Sequence, residues 1–413
     1  GYFGPYLKFS GFDALEIHGK AKQEIIIFID GINGIIRIEE INDFENLSND
    51  SHLLTQQLTE KYAKDENEKT QISVVSTGPA SKHTKWGMLN FSWYSRKRKW
   101  ASCKQAGRGG VGTVFADKNI KALICRSPKV DLKINNPADF DTARKIGKKY
   151  NQEIIKYDPI QNEMRSVGTG HLPEIMNVYD LLPTENFRFG SHKVIKDNKI
   201  PLNRETWRKI FSGESGSDGC WFGCTLSCSH YCRGHKVITG PYKDQKVIVD
   251  GPDYETIAGC GPNWGVWDPK WLLETNFYCD TYGLDTISVG TGIAFVMECY
   301  EAEILNKEIT SGLELNFGNA FAALELIHQM AEGKGFGLIV GQGIHIMKNI
   351  FAEKYGADPK FLHDIGMEHK GLEFSEYVTK ESLAQQGGYG LTLKGPQHDE
   401  AWLIFEDMVR KSI

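Results

Sequence analysis

The sequence predicts an α+β multidomain protein, a β-rich N-terminal domain followed by mainly α-helical domains. Three observations predict it. At 413 residues the chain is too long for one hydrophobic core, so two or three domains are expected. As far as about Arg126, apolar and aromatic residues fall in short runs separated by turn signals, which is how strands read. From about Ser127 the apolar residues recur at helical spacing between capping residues. The expected units are 1–128, 129–365 and 366–413. The net charge is only −5, so no basic field exists to hold nucleic acid or an anionic membrane. No uninterrupted apolar run of 18 residues appears and no signal peptide opens the chain, which starts at Gly1 without Met. Nine cysteines, bunched as ligands and not spread as bridges, fit a reducing cytoplasm.

Glu24–Asp30 and Gly34–Glu39 are the first strands, joined by the turn Gly31-Ile32-Asn33-Gly34. His52–Asp65 is an amphipathic helix with Leu53, Leu54 and Leu58 on its inner side. Gln71–Ser76 resumes the strands, leads into Thr77-Gly78-Pro79-Ala80, and is followed by the aromatic run Trp86–Trp93. Ala106-Gly107-Arg108-Gly109-Gly110-Val111-Gly112 is glycine-rich, so backbone N–H groups there can approach an anion, and Arg108 offers a fork of donors for a phosphate. A tight structural turn explains the same glycines equally well. The loop is neither a GxGxxG fingerprint nor a P-loop. Asn136-Pro137-Ala138-Asp139 reads as a helix start with Asn136 as cap and proline in the first turn.

Four of the nine cysteines fall within Cys220–Cys232, spaced four residues apart. A helix of buried thiols is the bland reading, but Gly219 and Gly223 are poor helix formers. As ligands the thiols select zinc or iron–sulfur, and bunched cysteines awaiting one distant ligand suit a cubane cluster better than paired zinc ligands do. Cys220, Cys224 and Cys228 are the preferred three, with Cys232 a substitute and His230 a neighbour. Val247–Val249 runs as a strand into Gly251-Pro252-Asp253-Tyr254-Glu255-Thr256, and Glu255 sits among apolar residues. Helices at Pro269–Tyr282 and Thr286–Ala302 break at Asp280-Thr281-Tyr282-Gly283-Leu284-Asp285, where Gly283 is a C-cap and Asp285 an N-cap. Helices follow at Asn319–Glu332 and Gly343–Tyr355. Gly388-Tyr389-Gly390-Leu391 and Lys394–Glu400 are turn-like, before a last apolar helix Ala401–Val409, and His398 is the histidine that stands out.

Ala106–Lys121, the cysteine cluster, Gly251–Thr256, Asp280-x-x-Gly283-Leu284-Asp285 and Gly388–His398, in this order, resemble the tungsten-containing aldehyde:ferredoxin oxidoreductase family. The resemblance implies that the N-terminal domain binds pterin. Arg108 matches an arginine that approaches a pterin phosphate, and the backbone near Gly109 lies where a magnesium between two pterins is held. Asp280, Gly283, Leu284 and Asp285 match the first pterin motif. Cys220, Cys224 and Cys228 match three ligands of a [4Fe-4S] cluster, and Glu255 and His398 match the pair facing the metal, tungsten or molybdenum.

Departures accompany the match. The family spacing is C-x2-C-x3-C, whereas this chain has C-x3-C-x3-C and then Cys232. The fourth cluster ligand and second pterin motif are expected beyond Ile413, and a further phosphate-contacting arginine before Gly1. Glu274-Thr275-Asn276-Phe277 stands where some family dimers carry an ExxH iron site. The implied activity is oxidation of an aldehyde to a carboxylic acid with water as oxygen source, electrons leaving to ferredoxin or an iron–sulfur subunit, and a homodimer is the implied oligomer. The rival readings are a subunit of a benzoyl-CoA reductase-like complex and a non-catalytic zinc or iron–sulfur module.

Overall fold

The computed structural model describes residues 1–44, 46–129, 137–192, 200–221 and 223–404. The N-terminal region folds around one six-stranded sheet in the order β2-β1-β6-β3-β4-β5. β1 (Ile25–Asp30) and β2 (Ile35–Glu40) pair antiparallel across the predicted turn. β6 (Ile120–Arg126) lies parallel to β1, and β3 (Ile72–Ser76), β4 (Leu89–Ser95) and β5 (Trp100–Ala106) continue antiparallel. The aromatic run therefore begins its strand at Leu89, three residues after Trp86.

Helix Ser51–Tyr62 covers one face of this sheet, its first turn closed by the Asp50 carboxylate on the N–H groups of His52 and Leu53. Leu54 and Leu58, one turn apart, are fully buried against Ile26, Phe28, Val74 and Ile124. Leu53, expected on the same side, is 40% exposed, because one position along a helix turns a side chain about 100° away from that line. Helix Phe3–Phe9 covers the opposite face with Phe3, Tyr6, Leu7 and Phe9.

Beyond the sheet the chain is mainly helical. Helix Phe140–Gln161 is capped by Asp139, whose carboxylate accepts from Thr142 N; the expected cap Asn136 lies outside the described residues. Helix Pro269–Tyr282 ends on Gly283 at φ +75°, and Asp285 caps helix Thr286–Glu301, as the capping chemistry predicts. Ala320–Glu332 and Ile344–Tyr355 complete the largest core, which includes Phe295, Leu324, Ile327, Met330 and Phe351. Gly388–Leu391, expected as a turn, instead forms the end of helix Leu383–Leu391. Ala401–Leu403 are not helical, and the rest of the expected final helix falls on 405–413, outside the described residues. Among the described residues no helix is long and apolar enough to cross a membrane.

A second sheet, β7 (Gly216–Asp218), β8 (Ser229–Lys236) and β9 (Lys246–Asp250), is antiparallel throughout. The β7–β8 connection carries Cys220, Cys224 and Cys228 in a non-helical loop, which removes the buried-helix reading.

The N-terminal domain meets the helices backbone to backbone. A Cβ on Gly78 would stand 2.1 Å from the carbonyl carbon of Tyr282 and 2.5 Å from the nitrogen of Gly283. Gly78→Ala is therefore expected to destabilise the fold by about 1–3 kcal/mol. A urea midpoint that drops while the slope holds would show it; an unmoved midpoint would mean that this contact yields.

Candidate functional site

β9 leads through Gly251-Pro252-Asp253 into helix Tyr254–Cys260, and this puts Glu255 in the first turn of a helix buried along its whole length. One carboxylate oxygen, Oε2, accepts the backbone N–H of Glu376 at 2.8 Å. The other, Oε1, lies 3.0 Å from Nδ1 of His398. Burial works to raise the Glu255 carboxyl, but the charge of His398, with the Glu376 N–H adding to it, outweighs burial and holds the group below its ordinary value. The Glu255 charge in turn raises the His398 imidazole against its own burial. Each group thus favours the charged form of the other, with Glu255 enclosed and the ring partly open to solvent.

Arg108 is tied into the same group of bonds. Gly109 and Gly110 take φ values of +90° and +70°, which turn β5 sharply into helix Val111–Asp117 and leave the Arg108 side chain buried. Its Nη1 donates to Pro396 O at 3.0 Å and Ser375 Oγ at 3.2 Å, its Nη2 to Glu373 O, and its Nε to Asp285 Oδ2 at 3.3 Å. Ser375 Oγ also stands 3.3 Å from both Nδ1 and the backbone N of His398. One guanidinium thus joins the glycine loop, the Asp285 cap and the two segments that seat His398.

The Asp280–Asp285 junction is pinned by the N-terminal domain. Asp280 O accepts from Ser51 Oγ at 2.6 Å and Asn90 Nδ2 at 3.3 Å, Leu284 bridges Gly87, and Asp285 N donates to Trp86 O at 2.9 Å. Asp285 serves as both cap and ion partner, accepting from Ile287 N and Ser288 Oγ besides Arg108. Burial, then the charge of Asp250, pushes the Asp280 carboxyl well above its ordinary value, and its Oδ2 accepts from Asn276 Nδ2 at 2.9 Å.

Sequence reasoning missed the residues that line this centre. Ser375 and Tyr377 carry no periodicity or motif that would single them out, and Tyr389 stands out only as part of the Gly388–His398 stretch, without a role. Burial, then the Glu255 charge, raises the Glu376 carboxyl well above its ordinary value, and its Oε1 accepts from Thr291 Oγ1 at 2.8 Å. The Tyr389 hydroxyl and Gln397 Oε1 are buried with no hydrogen-bond partner among the described residues. Asp253 is reached by solvent, yet desolvation pushes its carboxyl up to about 6. An anionic group bound here would take donors from the unused Tyr389 hydroxyl and from the Arg108 guanidinium, whereas Gln397 Oε1 is an acceptor and would need a donor of the bound group. The residues fit a phosphate-bearing cofactor.

The thiol loop fits a cluster. Cys220, Cys224 and Cys228 are free thiols, exposed or half-buried, whereas Cys232 sits on β8 inside the largest core. Burial raises Cys220, with the Cys224 charge next, and pushes Cys228 up to about 11, with Asp253, Cys220 and Cys224 adding to it. The three thiols therefore share one neighbourhood. Among the described residues no three His, Cys, Asp or Glu side chains converge on a single ion. A cubane binds each thiolate through a different iron, so its ligands stand farther apart than those of one ion. His230 is engaged elsewhere, with Cys228 O at 2.9 Å and Arg165 O at 3.3 Å. Glu274 is spent inside the chain on the N–H groups of Ile238 and Thr239 and on Thr239 Oγ1.

The structure thus sets a carboxylate–imidazole contact beside a buried guanidinium where the sheet region meets the helices, and comparison with known proteins gives the family. Residues 1–127 match the aldehyde ferredoxin oxidoreductase N-terminal domain and residues 145–412 match domains 2 and 3 of the same family. The chain belongs to the aldehyde ferredoxin oxidoreductase family. It is 28% identical over 420 residues to the tungsten-containing aldehyde ferredoxin oxidoreductase of Pyrococcus horikoshii, covering 99% of this chain and 60% of that protein. The Thermococcus kodakarensis protein of the same description is also 28% identical, again over 99% and 60% of the two chains. A Pyrococcus furiosus aliphatic sulfonate oxidoreductase, WOR-like subunit, is 26% identical over 96% of this chain and 59% of the relative. The chain thus spans about 60% of the length of these curated relatives. Among solved structures, the active-site complex BamBC of benzoyl coenzyme A reductase superposes with a TM-score of 0.61 at 17% identity, over 91% of this chain and 52% of that one; this likeness concerns the fold.

Proposed function

We propose that this chain is part of an enzyme that oxidises an aldehyde to the carboxylic acid with water as the oxygen source, and passes the electrons to ferredoxin or an iron–sulfur subunit. The Glu255–His398 contact is the observation that carries the reading, with the 28% relatives in support. Tungsten or molybdenum held by two pterins, when bound, supplies the two-electron redox chemistry, with a [4Fe-4S] cluster as the exit for single electrons. Arg108 would hold a pterin phosphate, the backbone at Gly109 a magnesium ion, and Asp280, Gly283, Leu284 and Asp285 the pterin itself. Cys220, Cys224 and Cys228 would ligate the cluster. Glu255 keeps a negative charge at Nδ1 of His398 and so leaves the imidazole able to give up or take a proton at Nε2, as water adds to the carbonyl carbon. Buried Glu255 also orients the ring, and Ser375 limits its rotation.

Full-length protein purified without oxygen tests this. It is expected to contain tungsten or molybdenum with about four irons, the content of one cubane. His398→Ala is expected to keep these metals and to lose about 10²- to 10⁴-fold in aldehyde-dependent dye reduction, the usual scale of a general acid or base. Zinc alone in the wild-type protein overturns the proposal, and full turnover in His398→Ala removes the histidine from it.

A further inference from the structure

Between the thiol loop and the Asp280–Asp285 junction lies a buried ammonium with no part in the chemistry above. Lys104 on β5 has a side chain only 6% exposed. Its Nζ donates to Asp250 Oδ1 and to Ser229 Oγ, the latter at 2.9 Å, and lies 3.8 Å from Asp218 Oδ2. Asp218 and Ser229 are cross-strand partners, the last residue of β7 and the first of β8. They are the two posts from which the cysteine loop hangs, so Lys104 closes its base. Arg98 adds a second clamp on Asp218, its guanidinium stacked 3.8 Å from the Tyr231 ring.

Burial favours the neutral amine, but Asp250 and then Asp218 outweigh it, and Lys104 is held above its ordinary value and charged. On the far side, Asn276 Nδ2 donates both to Asp250 O at 2.7 Å and to Asp280 Oδ2 at 2.9 Å. A continuous polar chain therefore runs from the loop through Lys104, Asp250 and Asn276 to Asp280. Asp218 and Asp250, both half-buried, flank this ammonium, and Arg98 shares Asp218, so without Lys104 the Asp250 carboxylate would lose its cation at the base of the loop.

We infer that Lys104 is a positioning residue that sets the reduction potential of the metal–thiolate centre held by Cys220, Cys224 and Cys228, and ties that centre to the pterin-motif junction. This rests on the cluster reading proposed above. Reduction adds negative charge to such a centre, and a fixed positive charge nearby in a dry site favours the reduced form.

The test is an EPR-monitored redox titration of full-length protein prepared without oxygen, with iron content measured alongside. Lys104→Gln keeps hydrogen-bond donors for Asp250 and Ser229 but removes the charge. Its midpoint is expected to move to more negative potential, by about tenfold in the reduction equilibrium, or about 59 mV for a one-electron couple. Asp250→Asn, which keeps Lys104 and removes a negative charge, is expected to shift the midpoint in the opposite direction. Lys104→Arg should titrate with the wild type. A purely structural lysine would lose iron without moving the two midpoints apart, so the sign of the Asp250→Asn shift decides even where Lys104→Gln does not fold. Shifts of one sign, or none, in an iron-loaded protein overturn the inference, while wild-type protein without iron overturns the cluster reading first.

Discussion

Glu255→Gln is expected to lower aldehyde-dependent turnover by about 10²- to 10⁴-fold without loss of tungsten or iron, because the substitution keeps the side-chain volume and an acceptor for the Glu376 N–H. The pH dependence should change with it. The Glu255 charge is the largest cause that raises His398, and burial opposes it. With the charge gone, burial is left to lower the imidazole, so the limb of the pH–rate profile that reports the imidazolium should move to lower pH. Stability follows the same linkage. The raised His398 contributes stability that is complete below its ordinary value of 6.5 and lost as pH rises through the folded value. The lowered Glu255 contributes stability present above its ordinary 4.5 and lost as pH falls through its folded value. The wild-type advantage in Tm over Glu255→Gln should therefore be widest between those two ordinary values and shrink on either side. A difference that is flat with pH would mean that the pair does not exchange protons with folding.

Arg108→Ala is expected to have the largest effect on stability, about 3–5 kcal/mol, the scale for removing one partner of a buried ion pair. It strips the donor from Asp285 Oδ2, Ser375 Oγ, Pro396 O and Glu373 O at once, and the segments that seat His398 lose their common anchor. Arg108→Lys keeps a charge but offers three donors from one point in place of a planar fork, so an intermediate loss is expected. Calorimetry on both variants, together with phosphorus and tungsten analysis, separates two contributions. Loss of stability in cofactor-free protein reports the internal clamp, and a further loss of bound cofactor reports the phosphate contact. Unchanged melting and full cofactor content would remove Arg108 from both roles.

The parts of this molecule that were legible in the sequence are those decided by local chemistry. Gly283 and Asp285 announce a helix end and a helix start whatever lies around them, and the two helices begin and end where the caps predict. The short apolar runs of β1, β2 and β3 are likewise strands in the fold. Errors arise where neighbouring residues offer the same chemistry. Asn136 and Asp139 are both competent caps, and Asp139 is the one whose carboxylate accepts from Thr142 N at the start of the helix; Leu53 and Leu54 are both apolar, and one step of helix rotation decides between them. Gly388 and Gly390 read as a turn, but they lie in a helix that buries Gln385 and Tyr389 one turn apart. The candidate site was legible only through resemblance. Glu255 and His398 meet because two distant segments are folded against one another, and Arg108 chooses backbone carbonyls at Glu373 and Pro396 that no side-chain pattern marks. Ser375 and Tyr389 stood out to no rule of spacing, since their roles come from burial and aim.

The contact of Gly78 with Tyr282 and Gly283 differs in kind from the group around His398. At Gly78 main chain presses on main chain, and any added atom collides with peptide groups that cannot rotate away. That contact has a single shape, written into the backbone and indifferent to which side chains surround it. The group around His398 is made of side chains, with Ser375 Oγ 3.3 Å from Nδ1 and the Tyr377 ring 6.2 Å from the imidazole. Substitution can reshape the second and leave the first as it is.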